Sequence, residues 1–569
     1  MHIDAVPNRT SRPTYLLRES YREGKKVRKR TLANLSALSD EQIEAIRAVL
    51  TGTEVRPVDE LFETLRSRPH GHVQAVRVAM QRLGFERLIA SRASKERDRV
   101  CAMVAARILA PHSKLATARW WHTTSLPEEF GVESVDEDDL YSAMDWLLEG
   151  QSRIEQRLAA RHLKEGGLAL YDLSSSYFEG QCCPLGKIGH NRDGKKNKLQ
   201  VNYGLLTTRG GCPVAVSVYA GNTNDAKTLM PQIERLREGF GLERVVLVGD
   251  RGMISHKAIS EQLSHIEGLA WITALKSGQI RSLMEGGAVQ MGLFDERSLF
   301  EFSHPDYCGE RLVACRNPAL AEQRAYKRQQ LLEATARELD KVRRMVENNK
   351  LQGKAEIGVR VGRVVNQYKV AKHFDLTIED GRFVFAVRKA QVEAEAALDG
   401  LYIIRTNVPK KQMSAEETVR SYKALSDVER AFRSLKTVDL KIRPIHHHLE
   451  NRVRAHIFLC MLAYYVEWHM REAWRELMFA DEDTQSKERR DPVAPAQRSE
   501  AALQKIATRV LEDGTPVHCF RTLLQELSTV VRNTCITRGG GLTSRSFQML
   551  TTPDTTQRRA LELLQTILV

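Results

Sequence analysis

The order of strands and helices between Gly166 and Leu275 constrains the fold of this chain more than any other feature. Two of the strand-like segments are joined through Arg-Gly-Gly-Cys, a hairpin loop with glycines where positive φ is needed. The patterns predict strand, strand, strand, helix, strand, helix and strand, at residues 167–178, 199–208, 213–221, 224–240, 244–250, 255–268 and 269–275. This order is typical of a mixed sheet with helices packed against it.

The rest of the chain divides around that segment by composition and periodicity. At 569 residues it is too long for one simple core, and about two to four structural units are expected. The predicted regions are a basic N-terminal region 1–72, a helical and DNA-binding region 73–165, the α/β core 166–276, a strand-containing insertion 277–411, the end of the core 412–480, and a helical C-terminal region 500–569. The predicted fold class is therefore α/β, with helical regions at both ends.

The charge balance favours a polyanionic partner. There are 86 Lys and Arg residues against 72 Asp and Glu, which gives a net charge of +14 and a pI near 9.3. Nucleic acid is the usual partner of such a chain. The basic residues between Arg22 and Arg30 fit either phosphate contacts or a solvated surface, and the sequence alone leaves both open.

Cysteine spacing and hydropathy restrict the class of protein further. The 9 cysteines are scattered without a C-x-x-C pair, so we expect reduced thiols in a cytoplasmic protein and no zinc signature. The consecutive histidines His446, His447 and His448 cannot share one helix face, and we do not expect them to bind a metal. The most apolar run, IFLCMLAYYV, is about half as long as a membrane span, which predicts a buried helix. The N-terminus has no apolar segment typical of a signal peptide.

Asp172 and Asp250 each end the apolar part of a predicted strand. A buried carboxylate needs a cation or strong hydrogen bonds, and α/β sites open at the carboxyl ends of strands. For one such aspartate alone, capping of the next turn is the simpler interpretation. Two of them on neighbouring strands would repel each other unless a metal lay between them. Because the ligands are oxygen atoms with no His or Cys nearby, Mg²⁺ or Mn²⁺ is favoured over zinc.

A charged helix is predicted over residues 421–436, SYKALSDVERAFRSLK. It carries Tyr422, Glu429 and Lys436 at intervals of seven residues, and seven residues drift only about 20° around an α-helix. This line borders the apolar stripe of the helix, formed by Leu425, Val428, Phe432 and Leu435. Glu429 is thus expected at the edge of the core, facing the two aspartates. The alternative is a surface pair between Glu429 and Arg433, which would contribute little.

With Asp172, Asp250 and Glu429 in this order, the chain resembles the DDE-class insertion-sequence transposases, whose catalytic core has an RNase H-like fold. One large bacterial family of this class has the signature Y-x2-R-x3-E-x6-K, and Tyr422, Glu429 and Lys436 match it in type and spacing. Four further stretches resemble the family, namely YDLSSSYF, GHNRDGKKNKLQVNYGLL, GNTNDAKTL and GDRGM. The resemblance covers residues 160–470 and includes a strand-rich insertion before the last catalytic helix.

The resemblance implies a chemistry and a set of partners. Two Mg²⁺ or Mn²⁺ ions held by Asp172, Asp250 and Glu429 would activate water to cut a phosphodiester at the transposon end, and the freed 3′-OH would attack target DNA. Tyr422 and Lys436 would contact phosphates near the scissile strand. The implied partners are double-stranded DNA, as terminal inverted repeats and as target, and a second copy in a homodimer on paired ends. A cytoplasmic, nucleoid-associated protein is expected, with no membrane partner.

One position departs from the family signature, and two other functions stay open. Leu425 stands where the signature has arginine, and Arg433 or Arg430 would have to replace that contact, although Arg430 points away on the helical wheel. A transposase-derived DNA-binding regulator without catalysis is disfavoured by the intact carboxylates. A nuclease of the same fold that does not join ends would be distinguished by whether inverted repeats flank the gene.

Overall fold

The structure of the chain is a computed structural model that describes residues 1–9, 11–52, 62–195, 197–294, 298–483, 489–537 and 546–568. The chain divides into two compact units. The first comprises Met1–Arg68 and Val530–Thr552, and the second comprises Pro69–Thr529 and Pro553–Val569.

Among the residues that the structure describes, the first unit contains two three-stranded sheets and a helix. One sheet has the order β1–β2–β3, formed by His2–Val6, Thr14–Glu23 and Lys26–Asn34, and α1 (Asp40–Leu50) follows it. The other has the order β16–β15–β4, formed by Ser546–Leu550, Val531–Thr537 and Phe62–Pro69. Every residue of β3 is exposed, in keeping with its run of basic side chains.

The strands β15 and β16 differ from the sequence prediction, which had only helix in the C-terminal region. The stretch that forms β15 reads VRNTCIT and is rich in β-branched residues, which favour strands. Residues 538–545 and 569 of this region lie outside the described residues. The helices of the region are α18, α19 and α20, which span Glu500–Thr508, Phe520–Ser528 and Thr555–Gln565.

The second unit begins with a bundle of helices. They are α2 to α8, in chain order Gly71–Arg82, Phe85–Ile89, Lys95–Leu109, Lys114–Trp120, Leu126–Phe130, Glu137–Glu149 and Gln151–His162. Three of these have side-chain caps of the expected kind, since Ser94, Ser113 and Asp136 each accept a hydrogen bond from a backbone N–H in the first turn.

The central sheet has the strand order that the sequence predicted. Its elements are β5 (Leu168–Tyr177), β6 (Gln200–Thr207), β7 (Pro213–Ala220), α9 (Leu229–Glu234), β8 (Val245–Val248), α10 (His256–Glu261) and β9 (Leu269–Ala274). In space the strands follow the order β7–β6–β5–β8–β9. The β5–β6 and β6–β7 pairs are antiparallel, whereas β5–β8 and β8–β9 are parallel. This arrangement is the RNase H-like sheet and confirms the predicted mixed α/β fold.

The insertion extends this sheet and adds a small lobe. Three of its strands continue the sheet beyond β9 in the order β14–β11–β10, formed by Leu401–Thr406, Arg311–Arg316 and Leu299–Phe302. Between β11 and β14 lie α12, α13, β12, β13 and α14, which span Pro318–Glu347, Lys354–Tyr368, Phe374–Glu379, Arg382–Val387 and Lys389–Ala396. These elements share an apolar core of their own. Before β10 comes α11 (Ser277–Glu285).

The chain returns to the core through three helices, α15 (Ala415–Lys423), α16 (Leu425–Arg433) and α17 (Glu450–Ala473). A π-helical turn, Ser434–Val438, follows α16. Residues Ile457–Val466 of α17 are all buried, because this helix packs against α4, α7 and β7. Within the described part of the chain, no helix combines the length and the apolar character that a membrane span needs.

Candidate active site

Asp172 and Asp250 lie beside each other on neighbouring strands of the sheet. In the parallel β5–β8 pair, Leu170 is opposite Val248, and each aspartate follows two residues later. Neighbouring strands are about 4.8 Å apart, and residues two apart on a strand point to the same face. The register therefore brings the two carboxylates to one edge of the sheet, as predicted from the strand ends.

A tight turn presents Asp250 at the end of β8. Its Oδ2 accepts a hydrogen bond from the Gly252 N–H at 3.2 Å, and its carbonyl accepts one from the Ile254 N–H at 2.9 Å. A Cβ at Gly249 would lie 2.9 Å from Ile254 Cδ1, so glycine allows this close return of the chain. The turn-capping role considered for Asp250 is thus real, but it engages only one carboxylate oxygen, and the side chain is exposed.

Glu429 approaches the same edge from α16. This helix packs on β5 through its apolar face, where Val428 is buried and Phe432 makes an edge-to-face contact with Tyr203 at 5.8 Å between ring centroids. Glu429 itself is exposed at the border of that face. The position agrees with the helical-wheel prediction. Among the described residues, Glu429 forms no ion pair with Arg433 within 4.0 Å, so the surface-pair alternative is not seen.

The electrostatics of Asp172 link it to the other two carboxylates. The pKa of Asp172 is raised to about 6, chiefly by burial. The charges of Asp250 and Glu429 act in the same direction, whereas the Leu173 N–H and Arg192 oppose it. The Leu173 N–H donates to Asp172 Oδ1 at 2.8 Å. Two other carboxylates are therefore close enough to oppose ionisation of Asp172.

Tyr422, on α15, lies beside the same three groups. Its pKa is raised to about 12, chiefly by burial. The charges of Asp250, Asp172 and Glu429 act in the same direction, whereas Arg251 opposes them. The phenol is therefore neutral at neutral pH. It can donate a hydrogen bond without adding charge to the cluster.

The donor set of this cluster fits a divalent cation. Within the described part of the chain, none of Asp172, Asp250 and Glu429 forms an ion pair within 4.0 Å. The guanidinium of Arg192, which acts on Asp172 through its charge, is paired with Asp225. Three carboxylates that lack a cation, one of them with a raised pKa, are the hard oxygen ligands that Mg²⁺ and Mn²⁺ take.

Lys436 lies apart from the carboxylate cluster. The prediction of one uninterrupted α-helix is wrong, because α-helical bonding is interrupted at Ala424 and gives way to the π-helical turn at Ser434. Hydrogen bonds in a π turn run from i to i+5, so Lys436 is rotated away from the line that Tyr422 and Glu429 share. Its ammonium pairs with Asp193 at 3.0 Å and is mostly buried.

Asp193 is a residue that sequence reasoning missed. Its side chain is 3% exposed and accepts hydrogen bonds from Lys436 and from the Tyr177 N–H, each at 3.0 Å. It also forms an ion pair with Arg443 at 2.5 Å. One carboxylate thus holds two cations, which leaves an excess positive charge. The only sequence signal was its place in the polar loop before β6, which resembles the family.

The arginines of α16 differ in their engagement. Arg430 pairs with Asp427 at 3.0 Å, whereas Arg433 is exposed and, among the described residues, has no side-chain partner. Leu425, at the signature's arginine position, is half-buried against the core. His446, His447 and His448 do not gather around one point as ligands, and His448 bonds the Gln181 carbonyl at 2.9 Å.

Comparisons with known proteins identify the family of the chain. A family model described as a transposase DDE domain matches residues 186–466, and a model described as the IS1634 family transposase N-terminal domain matches residues 3–59. No curated protein matches significantly. Among solved structures, the chain is similar to a piggyBac transposase synaptic complex with hairpin DNA, at 8% identity and a TM-score of 0.35, over 80% of this chain and 76% of that one.

The two family models do not overlap, and together they span well over half of the chain. The first includes Asp250 and Glu429 and begins shortly after Asp172. The chain belongs to the DDE transposases of bacterial insertion sequences and is a DNA transposase.

Proposed function

We propose that this transposase cuts DNA at the ends of its own element and joins the freed 3′-OH to target DNA, at a centre formed by Asp172, Asp250 and Glu429. The observation that supports this is the convergence of three carboxylates for which the described residues supply no cation. Buried or clustered carboxylates are costly unless a cation neutralises them. The neutralising cation is therefore expected to be a bound metal ion.

The proposed ion is Mg²⁺, or Mn²⁺ in its place, with two ions per site. Asp172 and Asp250 from adjacent strands and Glu429 from α16 would hold them. When bound, such ions supply an activated nucleophile and stabilise the leaving oxygen of a phosphodiester. Since a nearby cation favours the ionised form of a carboxyl group, binding would also lower the pKa of Asp172.

Polar and basic side chains beside the carboxylates would position the DNA strand. Tyr422, whose phenol is neutral at neutral pH, would donate a hydrogen bond to a phosphate oxygen beside the carboxylates. Lys436 and Arg443 exceed the charge of Asp193 by one, so this cluster keeps a positive charge for the strand. Arg433 would add a phosphate contact from the exposed side of α16.

The proposed partner is double-stranded DNA, first as the terminal inverted repeats and then as target, in the nucleoid of the cytoplasm. We further propose a homodimer that holds two paired ends. Mass measurements of the protein, alone and with a duplex that carries one element end, would test the oligomeric state. Two protein chains and two duplexes per complex are expected, and a complex of one chain with one duplex would contradict the dimer.

The experiment that tests the function uses linear DNA that carries the gene with its flanks. Wild type and Asp250→Asn are incubated with it in Mg²⁺ or in EDTA, and Glu261→Gln, an exposed carboxylate of α10, is the matched control. Wild type and the control are expected to cut at a repeated end sequence only with Mg²⁺ and to join the freed ends to a labelled target. Asp250→Asn is expected to bind the DNA without cutting it.

Other results would replace the proposal. Binding without cutting by wild type would favour a DNA-binding regulator. Scattered cuts without joining would favour a nuclease of the same fold. Cutting by Asp250→Asn would remove this residue from the centre.

A further inference from the structure

A second group of metal-ligating side chains lies outside the carboxylate centre. His162 ends α8, Cys212 immediately precedes β7, and His469 belongs to α17. One possible ligand atom from each lies within 4.8 Å of the other two. Cys212 Sγ is 3.9 Å from Nε2 of His469. Three elements that are distant in sequence thus bring a thiol and two imidazoles to one point.

These separations are close to those of a zinc site. With Zn–S of about 2.3 Å and Zn–N of about 2.05 Å, tetrahedral coordination places sulfur and nitrogen about 3.6 Å apart and two nitrogens about 3.3 Å apart. Small side-chain rotations would close the difference. Cys212 and His469 are 1% and 8% exposed, so the site is shielded from solvent.

The hydrogen-bonding partners of the two imidazoles also suit a metal site. Among the described residues, the Cys212 thiol is the only hydrogen-bonding partner of the His469 ring. The Tyr465 hydroxyl lies 3.0 Å from His162 Nε2 and would orient that ring.

We propose that His162, Cys212 and His469 bind one zinc ion, with the fourth position taken by a solvent molecule that enters beside the half-buried His162. On binding, Cys212 would release its thiol proton to solvent and act as a thiolate. The ion would link the end of the helical bundle, the β6–β7 hairpin and the buried α17. Its role would be structural, since no carboxylate of the active centre belongs to this group.

Cobalt substitution tests this site independently of catalysis. A Co²⁺ ion bound by a thiolate gives a sulfur-to-cobalt charge-transfer absorption that the carboxylates of Asp172, Asp250 and Glu429 cannot produce. Wild type is expected to show this band at one Co²⁺ per chain, with zinc displacing it. Cys212→Ser is expected to lose the band entirely. The matched control is Cys315→Ser, which alters a different buried cysteine, on β11 beside Tyr402 of β14. This variant should keep the band.

Two more variants keep the result interpretable. His469→Gln removes a ligand at similar size and is expected to weaken Co²⁺ affinity by roughly a hundredfold or more. Asp250→Asn should keep the band, so failure of the proposed catalytic centre would not affect this result. Folding of each variant is checked by circular dichroism. A folded wild type without the band, or a folded Cys212→Ser or His469→Gln that binds Co²⁺ as wild type does, would overturn the proposal.

Discussion

Two carboxylate clusters of this protein differ in where their positive charge comes from. In the first, Asp439 and Glu467 are buried, and the guanidinium of Arg471 contacts Asp439 Oδ2 at 2.8 Å and Glu467 Oε1 at 2.7 Å. The Ser434 hydroxyl lies between the same two carboxyl groups. In the second, Asp172, Asp250 and Glu429 meet with no such cation among the described residues. The first cluster carries its own counter-charge, whereas in the second we propose that a metal ion supplies it.

Neutralising the second cluster gives the largest expected effect. Asp172→Asn, Asp250→Asn and Glu429→Gln should each reduce strand cleavage by roughly a thousandfold or more, since several kcal/mol of transition-state stabilisation would be lost. DNA affinity should change little. Because the substitutions remove mutual repulsion, the free energy of unfolding without metal should stay the same or rise. Cleavage rates and urea titrations check both parts, and a marked fall in stability would make the cluster structural.

Removing the cation of the first cluster should instead lower the free energy of unfolding. Arg471→Met leaves Glu467 buried without a counter-charge. Asp439 keeps only Arg521, whose Nε lies 3.8 Å from Asp439 Oδ1. The free energy of unfolding should therefore fall by about 3 kcal/mol. The control is Arg475→Met, one turn further on, whose partner Glu472 is exposed, and it should cost less than about 1 kcal/mol. Urea unfolding measures both. Equal effects of the two variants would mean that burial does not distinguish this cluster from an ordinary surface pair.

The pKa of Asp172 gives a pH-dependent test of the same contrast. Its folded-state pKa is raised from 3.8 to about 6, chiefly by burial. Its contribution to stability is therefore full below about pH 4 and is lost as the pH rises through 6. In EDTA, wild type should lose on the order of 1–2 kcal/mol relative to Asp172→Asn between pH 4 and 7, after allowance for partial exposure.

Mg²⁺ should reverse that loss at pH 7, because the cation stabilises the ionised carboxylate. Urea titrations of both proteins at several pH values, with EDTA or Mg²⁺, provide the measurement. If the free energies of unfolding of wild type and Asp172→Asn differed by the same amount at every pH, the pKa of Asp172 would not be raised in the metal-free protein.

Lys436 shares a feature with each cluster. It has an ion-pair partner, Asp193, as the residues of the first cluster do, and it belongs to the family signature, as Glu429 of the second cluster does. Lys436→Met keeps most of the packing of the aliphatic stem and leaves Arg443 to neutralise Asp193. Cleavage should fall about tenfold, and the free energy of unfolding should fall by no more than about 1 kcal/mol. If the variant instead unfolds readily while its residual cleavage is unchanged per folded molecule, Lys436 is structural.

The sequence predicted what local patterns encode. The strand order from β5 to β9 was readable because each strand is bounded by turn residues, and the positions of Asp172 and Asp250 followed from it. The pairing of Lys436 with Asp193 was not readable, because it depends on a π-helical turn and on a loop far away in the chain. The same holds for His162, Cys212 and His469, whose spacing matches no zinc motif and which only the packing of α17 brings together.

The smallest expected effect concerns the exposed side of α16. Arg433 has no side-chain partner among the described residues, whereas Arg430 pairs with Asp427, so only Arg433 is expected to bind a phosphate with its full charge. Arg433→Ala should weaken DNA binding a few-fold and reduce the slope of log affinity against log salt by about 1. Arg430→Ala, on the same helix, should change the slope less. Titration of an end duplex over a range of salt concentrations measures both slopes. Equal slopes for the two variants would mean that net charge alone attracts DNA to this helix, and Arg433 would then not compensate for the arginine that Leu425 replaces.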